Sequence, residues 1–298
     1  MSIAPTEYIS KIDPKVDVAF KFLASKPGIM VAMINDLFRA SGLPLITELK
    51  VVNGELTKQR MKERGATLDF LALDQNNLNI NIEVQVEHHG GFLERLLFHW
   101  AKIHVSQFRK GRDYSLQKIS PTVIIALTDF TFLDENSVLN HYQIINTETS
   151  NPLPKKLFNL MTLELPKFST SDLGSLWAPW AALFVNDKKY ETVVRGYPMT
   201  SKAIEFLETM SMDSDLATAY LDHLELLNDE AAKLLATRNE ALMEGEIRGE
   251  TKGEIKGKIE GKIEIAQGMI NDGCPDELIA RYTSLSIENI QEIRKSLG

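Results

Sequence analysis

A chain of 298 residues, 44% hydrophobic and 25% charged, has the composition of an ordinary globular protein and the length of one large or two modest domains. A net charge of −8 excludes a protein that coats nucleic acid over its whole surface, while leaving room for a local basic patch. One cysteine, Cys274, excludes an internal disulfide framework and fits a reducing, cytoplasmic setting; neither a secretory leader in MSIAPTEYISKID nor a membrane-spanning stretch is expected.

Residues 14–40 predict helix. Val16, Ala19, Phe20 and Leu23, then Met30, Met33, Ile34 and Leu37, recur at helical spacing, and Pro27-Gly28 splits the run in two. Asp13 and Pro14 suit a helix start. Leu45 to Leu56 reads as a strand with a turn at Asn53-Gly54. Lys58, Arg60, Lys62 and Arg64 follow, and on an extended backbone all four project to one side.

Ala66 to Val86 reads as two strands joined by a polar turn. Leu78, Ile80, Ile82, Val84 and Val86 alternate with Asn79, Asn81, Glu83 and Gln85, so one face is apolar and the other polar. The first strand carries one charge, Asp69, between apolar or small residues. The turn decides whether Asp69 meets Glu83. A three-residue loop, Gln75-Asn76-Asn77, pairs Asp74 with Leu78 and Asp69 with Glu83. Pairing Leu73 with Leu78 instead puts the two acids on opposite faces. Asn77 suits the positive φ that ends three-residue loops. Facing carboxylates roughly 5 Å apart at Cβ repel unless a cation lies between them or one is protonated. Hard oxygen ligands suit Mg²⁺ or Mn²⁺.

Gly90-Gly91 opens a predicted helix, Phe92 to Lys110, with Leu93, Leu96, Leu97, Trp100, Ile103 and Phe108 as its apolar set and Gly111 as its cap. Trp100, Phe98 and Tyr114 read as core residues. His88 and His89, adjacent after a strand, point to opposite faces and make poor co-ligands. Pro121 to Phe130 is a continuous apolar run that predicts a central strand, and further strands are expected at 142–146 and 157–165. From Ser171 the pattern is helical, over 172–185, 199–211 and 215–242. Between Glu244 and Glu264, glycine recurs every fourth residue from Gly245 to Gly261. Each glycine costs a helix roughly 1 kcal/mol, so the segment reads either as a helix formed on pairing with another chain or as a flexible linker. Two short helices follow, with Gly273 and Ser286 at their boundaries.

Asp69, Glu83-Val84-Gln85, Glu94-Arg95, Trp100 and Gly111-Arg112-Asp113-Tyr114, with the opening DPKVDVAFKFLAS and the glycine-rich tail, resemble the PD-(D/E)XK nuclease family transposases and the overlapping recombination-promoting nucleases. The resemblance implies an α/β fold: a restriction-endonuclease-like mixed sheet core of order α-β-β-β-α-β with a C-terminal α-helical region. With the change to a helical pattern near 168–172 and the glycine repeat, the expected division is a PD-(D/E)XK nuclease-like domain over 1–170, a helical domain over 171–243, a glycine and charged repeat over 244–264 and a small helical tail over 265–298. The implied activity is Mg²⁺- or Mn²⁺-dependent DNA endonuclease action, linked to recombination, transposition or defence against foreign DNA. Asp69 and Glu83 would be metal ligands with the Val84 backbone carbonyl, and Gln85 would stand where a lysine is more usual. Glutamine cannot carry charge, so its amide can only orient water or a phosphate oxygen. Asp17 is a candidate third acid, or an ordinary ion pair with Lys21 one turn later. Lys58, Arg60, Lys62 and Arg64 are candidate DNA-phosphate contacts, or an exposed charged connection. The expected partners are DNA and, through the C-terminal helices, further copies of the chain. The alternative is a catalytically inactive DNA-binding or oligomerisation protein on the same fold.

Overall fold

A computed structural model describes the chain at Tyr8, residues 10–52, 70–88 and 90–109, Gly111, Asp113 and residues 117–297. It forms two compact units, Met1–Leu226 and Leu227–Gly298.

The first unit opens with helices α1 (Asp17–Ala24) and α2 (Ile29–Ala40). They part at Pro27-Gly28, where Gly28 adopts φ +79°, a conformation open to glycine. Strands β1 (Leu49–Val51), β2 (Phe70–Asp74) and β3 (Asn79–Gln85) form an antiparallel meander. Helix α3 (Phe92–Ser106) then crosses to β4 (Thr122–Thr128), which lies parallel to β3. Strands β5 (Leu139–Gln143) and β6 (Phe158–Glu164) complete a six-stranded mixed sheet of order β1-β2-β3-β4-β6-β5. The expected α-β-β-β-α-β order is therefore present. The first strand is shorter than predicted: only 49–51 pair, and Asn53-Gly54 lie outside the described residues.

The two faces of the sheet carry different layers because strand side chains alternate. Ile80, Ile82 and Val84 of β3 join Ile125 and Leu127 of β4 in the main core. Helices α1 and α2 pack there, with α4 (Ala178–Val185), α5 (Glu191–Gly196) and α6 (Pro198–Met212). Helices α4, α5 and α6 thus share one core with the sheet. On the opposite face a smaller core joins Ile124, Ala126 and Leu160 to Phe92 and Leu96 of α3, with Trp100 and Ile103 against it.

The apolar set predicted for this helix needs correction. Leu93, Leu97 and Phe98 are exposed, and the helix ends at Ser106, before Phe108. The inward stripe is Phe92, Leu96, Trp100 and Ile103, which keeps a steady three-or-four spacing. Trp100 also stacks on His104, and burial pushes the His104 imidazole below its ordinary pKa.

The turn between β2 and β3 has the three-residue form. Asp74 Oδ1 accepts hydrogen bonds from the backbone N–H of Asn76 (2.8 Å) and Leu78 (2.6 Å), and Asn77 takes φ +62°. Phe70 consequently faces Ile82 and Leu73 faces Asn79.

Helix α7 (Ser214–Asn271) runs through the glycine repeat without a break. From residue 235 to residue 260 every residue is exposed. Nothing lies within 4 Å of where a Cβ would stand at Gly245, Gly249, Gly253, Gly257 or Gly261. The segment is helical in the single chain. Gly273, at φ +78°, follows its end. Helices α8 (Asp276–Thr283) and α9 (Ile287–Leu297) fold back so that Ile279 and Ile290 pack on Ala266 and Ile270. No helix among the described residues is long and apolar enough to cross a membrane.

Asp36 of α2 is a buried acceptor for Trp180 Nε1 (2.8 Å) and the Tyr197 hydroxyl (2.7 Å). Replacing it with leucine strands both donors, so urea unfolding of Asp36→Leu should show a loss of about 3 kcal/mol. Asn77→Val should lose about 1–2 kcal/mol to left-handed backbone strain, whereas Asn77→Gly should match or exceed the parent protein in the same assay. Because the fold lowers the His104 pKa, its neutral form is favoured: that contribution is intact above about pH 6.5 and is lost as pH falls and the unfolded chain takes the proton first. Melting temperature should therefore fall less steeply between about pH 6.5 and 5 for His104→Phe than for the parent.

Candidate functional site

The polar face of β3 meets one side of α3. Asn79, Asn81, Glu83 and Gln85 project from the face opposite the Ile80–Ile82–Val84 stripe, and the first three are buried. Glu83 retains only 4% of its exposure. Its Oε1 accepts a hydrogen bond from Asn81 Nδ2 (3.2 Å) and is contacted by His99 Nδ1. Two residues along the strand, Gln85 Oε1 accepts from Arg95 Nη2 at 2.5 Å. The Arg95 guanidinium also lies over the Phe92 ring, 5.1 Å from its centre.

These two contacts run side by side for a geometric reason. Residues two apart on a strand are roughly 7 Å apart, and residues four apart on a helix roughly 6 Å. Glu83 and Gln85 on β3 therefore match His99 and Arg95 on α3. The aromatic stripe of α3 sits over β4, and this leaves the Arg95/His99 side turned toward β3.

His99 is the residue that sequence reasoning missed. Its signal was present: Phe92, Leu96, Trp100 and Ile103 define the inward stripe, and Arg95 and His99 flank it one turn apart. The expected apolar set mixes Leu93 and Leu97, which face solvent, with the inward Leu96, Trp100 and Ile103, and this blurs the stripe that His99 flanks.

Other sequence-predicted residues are placed as follows. The observed register is that of the three-residue turn from Phe70 onward, and Asp69 lies outside the described residues. Lys58, Arg60, Lys62 and Arg64 also lie outside them, as do His89, Arg112 and Tyr114. Val84 turns its side chain into the main core, leaving only its backbone for a ligand role. Asp17 sits on α1, in the layer on the other face of the sheet from Glu83. It pairs with Lys21 at 2.8 Å, and no hydrogen bond or ion pair among the described residues joins it to Glu83. Burial raises the Asp17 pKa, opposed by Lys21 and then His223. His88 packs edge-on against Phe130.

A carboxylate as deeply buried as Glu83 is stable as an anion only beside compensating charge or several hydrogen bonds. Its hard oxygen donors fit Mg²⁺ or Mn²⁺. Among the described residues no three His, Cys, Asp or Glu side chains converge on one point, so a full ligand set would need a donor from outside them.

Comparison with curated proteins yields no match, and comparison with solved structures yields none. The model of one family, the PD-(D/E)XK nuclease family transposases, matches residues 14–237, a span that contains the whole sheet, the hairpin and α3. The sheet order agrees with this match, and the chain belongs to the PD-(D/E)XK nuclease family transposases.

Proposed function

We propose that the protein is a divalent-metal-dependent DNA endonuclease whose metal ligands are Asp69 and Glu83, with the Val84 backbone carbonyl. The observation that carries this reading is the buried Glu83 carboxylate, on a hairpin with the three-residue turn. Family membership supports a nuclease fold. A bound Mg²⁺ or Mn²⁺ would supply Lewis-acid polarisation of the scissile phosphate and a more acidic water. The protein's own part is to hold and orient. His99 and Asn81 fix the Glu83 carboxylate, so little reorganisation is needed when an ion or a phosphate arrives. The Gln85 carbonyl is occupied by Arg95, so its amide N–H₂ is the end that would orient water or a phosphate oxygen. Lys58, Arg60, Lys62 and Arg64 would track DNA phosphates and make binding fall with salt. The purified protein should nick or cut DNA in Mg²⁺ or Mn²⁺, and Asp69→Asn or Glu83→Gln should each reduce the rate by about 10³-fold or more. Cleavage that survives both changes would end this assignment.

Self-association through α7 is a second reading, favoured by a separate observation. Met243, Ile247, Ile255 and Ile259 are exposed along a helix whose repeat carries five open glycines. The isoleucines and glycines stand two positions apart, which on a helix puts them roughly 200° apart, on opposite faces. The isoleucine face is the one that gains by burial against a second copy. Analytical ultracentrifugation of the full chain should show a dimer or larger species, and the double change Ile255→Lys with Ile259→Lys should yield the monomer. An unchanged sedimentation profile would count against the α7 contact.

A further inference from the structure

Arg95 is a permanently charged group in a half-buried place. Among the described residues it has no carboxylate partner: its contacts are the Gln85 amide oxygen at 2.5 Å and the Phe92 ring. Its Nε is buried and makes no hydrogen bond. A guanidinium that is partly desolvated, stacked on an aromatic face and short of acceptors is an anion site in waiting. It stands one helical turn from His99, the residue in contact with Glu83. Strand β3 carries no cation of its own, and its uncharged Gln85 is the residue that holds Arg95.

We propose that Arg95 supplies from the helix the cation that the strand lacks, and contacts a non-bridging oxygen of the scissile phosphate as a catalytic residue. This rests on the nuclease reading of Glu83. In the hydrolysis, the oxygen of a water molecule bonds to phosphorus and the bond from phosphorus to one sugar oxygen breaks. One water proton ends on that departing oxygen, and the other goes to the new phosphate monoester or to solvent. Arg95 takes no proton at any point, since its own is held too tightly. It donates hydrogen bonds to the oxygen on which charge accumulates, and Gln85 keeps the guanidinium from swinging away. A rigid fork aimed at a tetrahedral anion gives phosphate specificity that a flexible lysine on the strand would not.

The test uses the full chain, a short fluorescent DNA duplex and three variants. Arg95→Met, which keeps the stem, should lower kcat by about 10²–10³-fold. With EDTA present to prevent cleavage, it should also flatten the dependence of log affinity on log salt by about one unit. Arg95→Lys should keep the salt slope of the parent and cleave faster than Arg95→Met. Adding Gln85→Lys to Arg95→Met should recover at least about tenfold of the lost rate, because a cation would return to the same phosphate from the other element. A purely structural arginine would not be rescued in that way. Parent-like kcat and slope in Arg95→Met, or a double variant no better than Arg95→Met, would overturn the assignment. If Arg95→Met does not fold, Arg95→Lys cleaving no faster than Glu83→Gln would do so. Should the parent protein cut no DNA, the Glu83 reading falls while the slope still decides for or against the Arg95–phosphate contact.

Discussion

Three residues of turn, Gln75 to Asn77, govern everything that the polar side of the sheet can do. In a β-hairpin a slip of one residue sends every side chain to the other face. Here that would carry Ile80, Ile82 and Val84 out of the main core and Glu83 into it. Two independent devices resist the slip. Asp74 ties the turn by accepting two backbone hydrogen bonds, and Asn77 accepts the left-handed conformation that closes it. The apolar stripe of β3 then fixes the same answer by burial.

The face toward α3 is divided between two kinds of contact. Over β4 and β6 the helix packs aromatic and aliphatic side chains on Ile124, Ala126 and Leu160. Over β3 it presents Arg95 and His99 to Gln85 and Glu83. The apolar contact sets the height and rotation of the helix, and the polar groups are carried to their partners by it. A site built in this way is placed by a hydrophobic surface that never touches the ligand.

Most of this was legible from the residues because it depends on period. Strict alternation from Leu78 to Val86 disclosed β3 and its two faces, and Asn77 disclosed the turn. The continuous apolar run from Pro121 disclosed a strand covered on both sides. What stayed hidden depends on tertiary choice. Leu93 and Leu97 are as apolar as Leu96, and only the position of β4 beneath the helix decides which of them is buried. With Leu93 and Leu97 counted beside Leu96, Trp100 and Ile103, the expected apolar set covers too much of α3 for the contact of His99 with Glu83 to be foreseen. The boundary expected near residue 170 failed to appear as a break in the core because α4 and α6 bury Trp180, Ile204 and Leu207 with the sheet residues. Helical composition alone does not reveal which surface a helix covers.

The repeat in α7 advances four residues at a time, a longer interval than the 3.6 residues of one turn. Its exposed isoleucines therefore drift by roughly 40° at each step, in the sense opposite to the drift of a heptad seam. A partner that tracked them over the whole repeat would have to wind about α7 with a right-handed sense. A straight neighbour would cross after two or three isoleucines. Any bundle built on this segment is thus either an unusual right-handed rope or a brief crossing, and its handedness is already written in the spacing between Ile255 and Ile259.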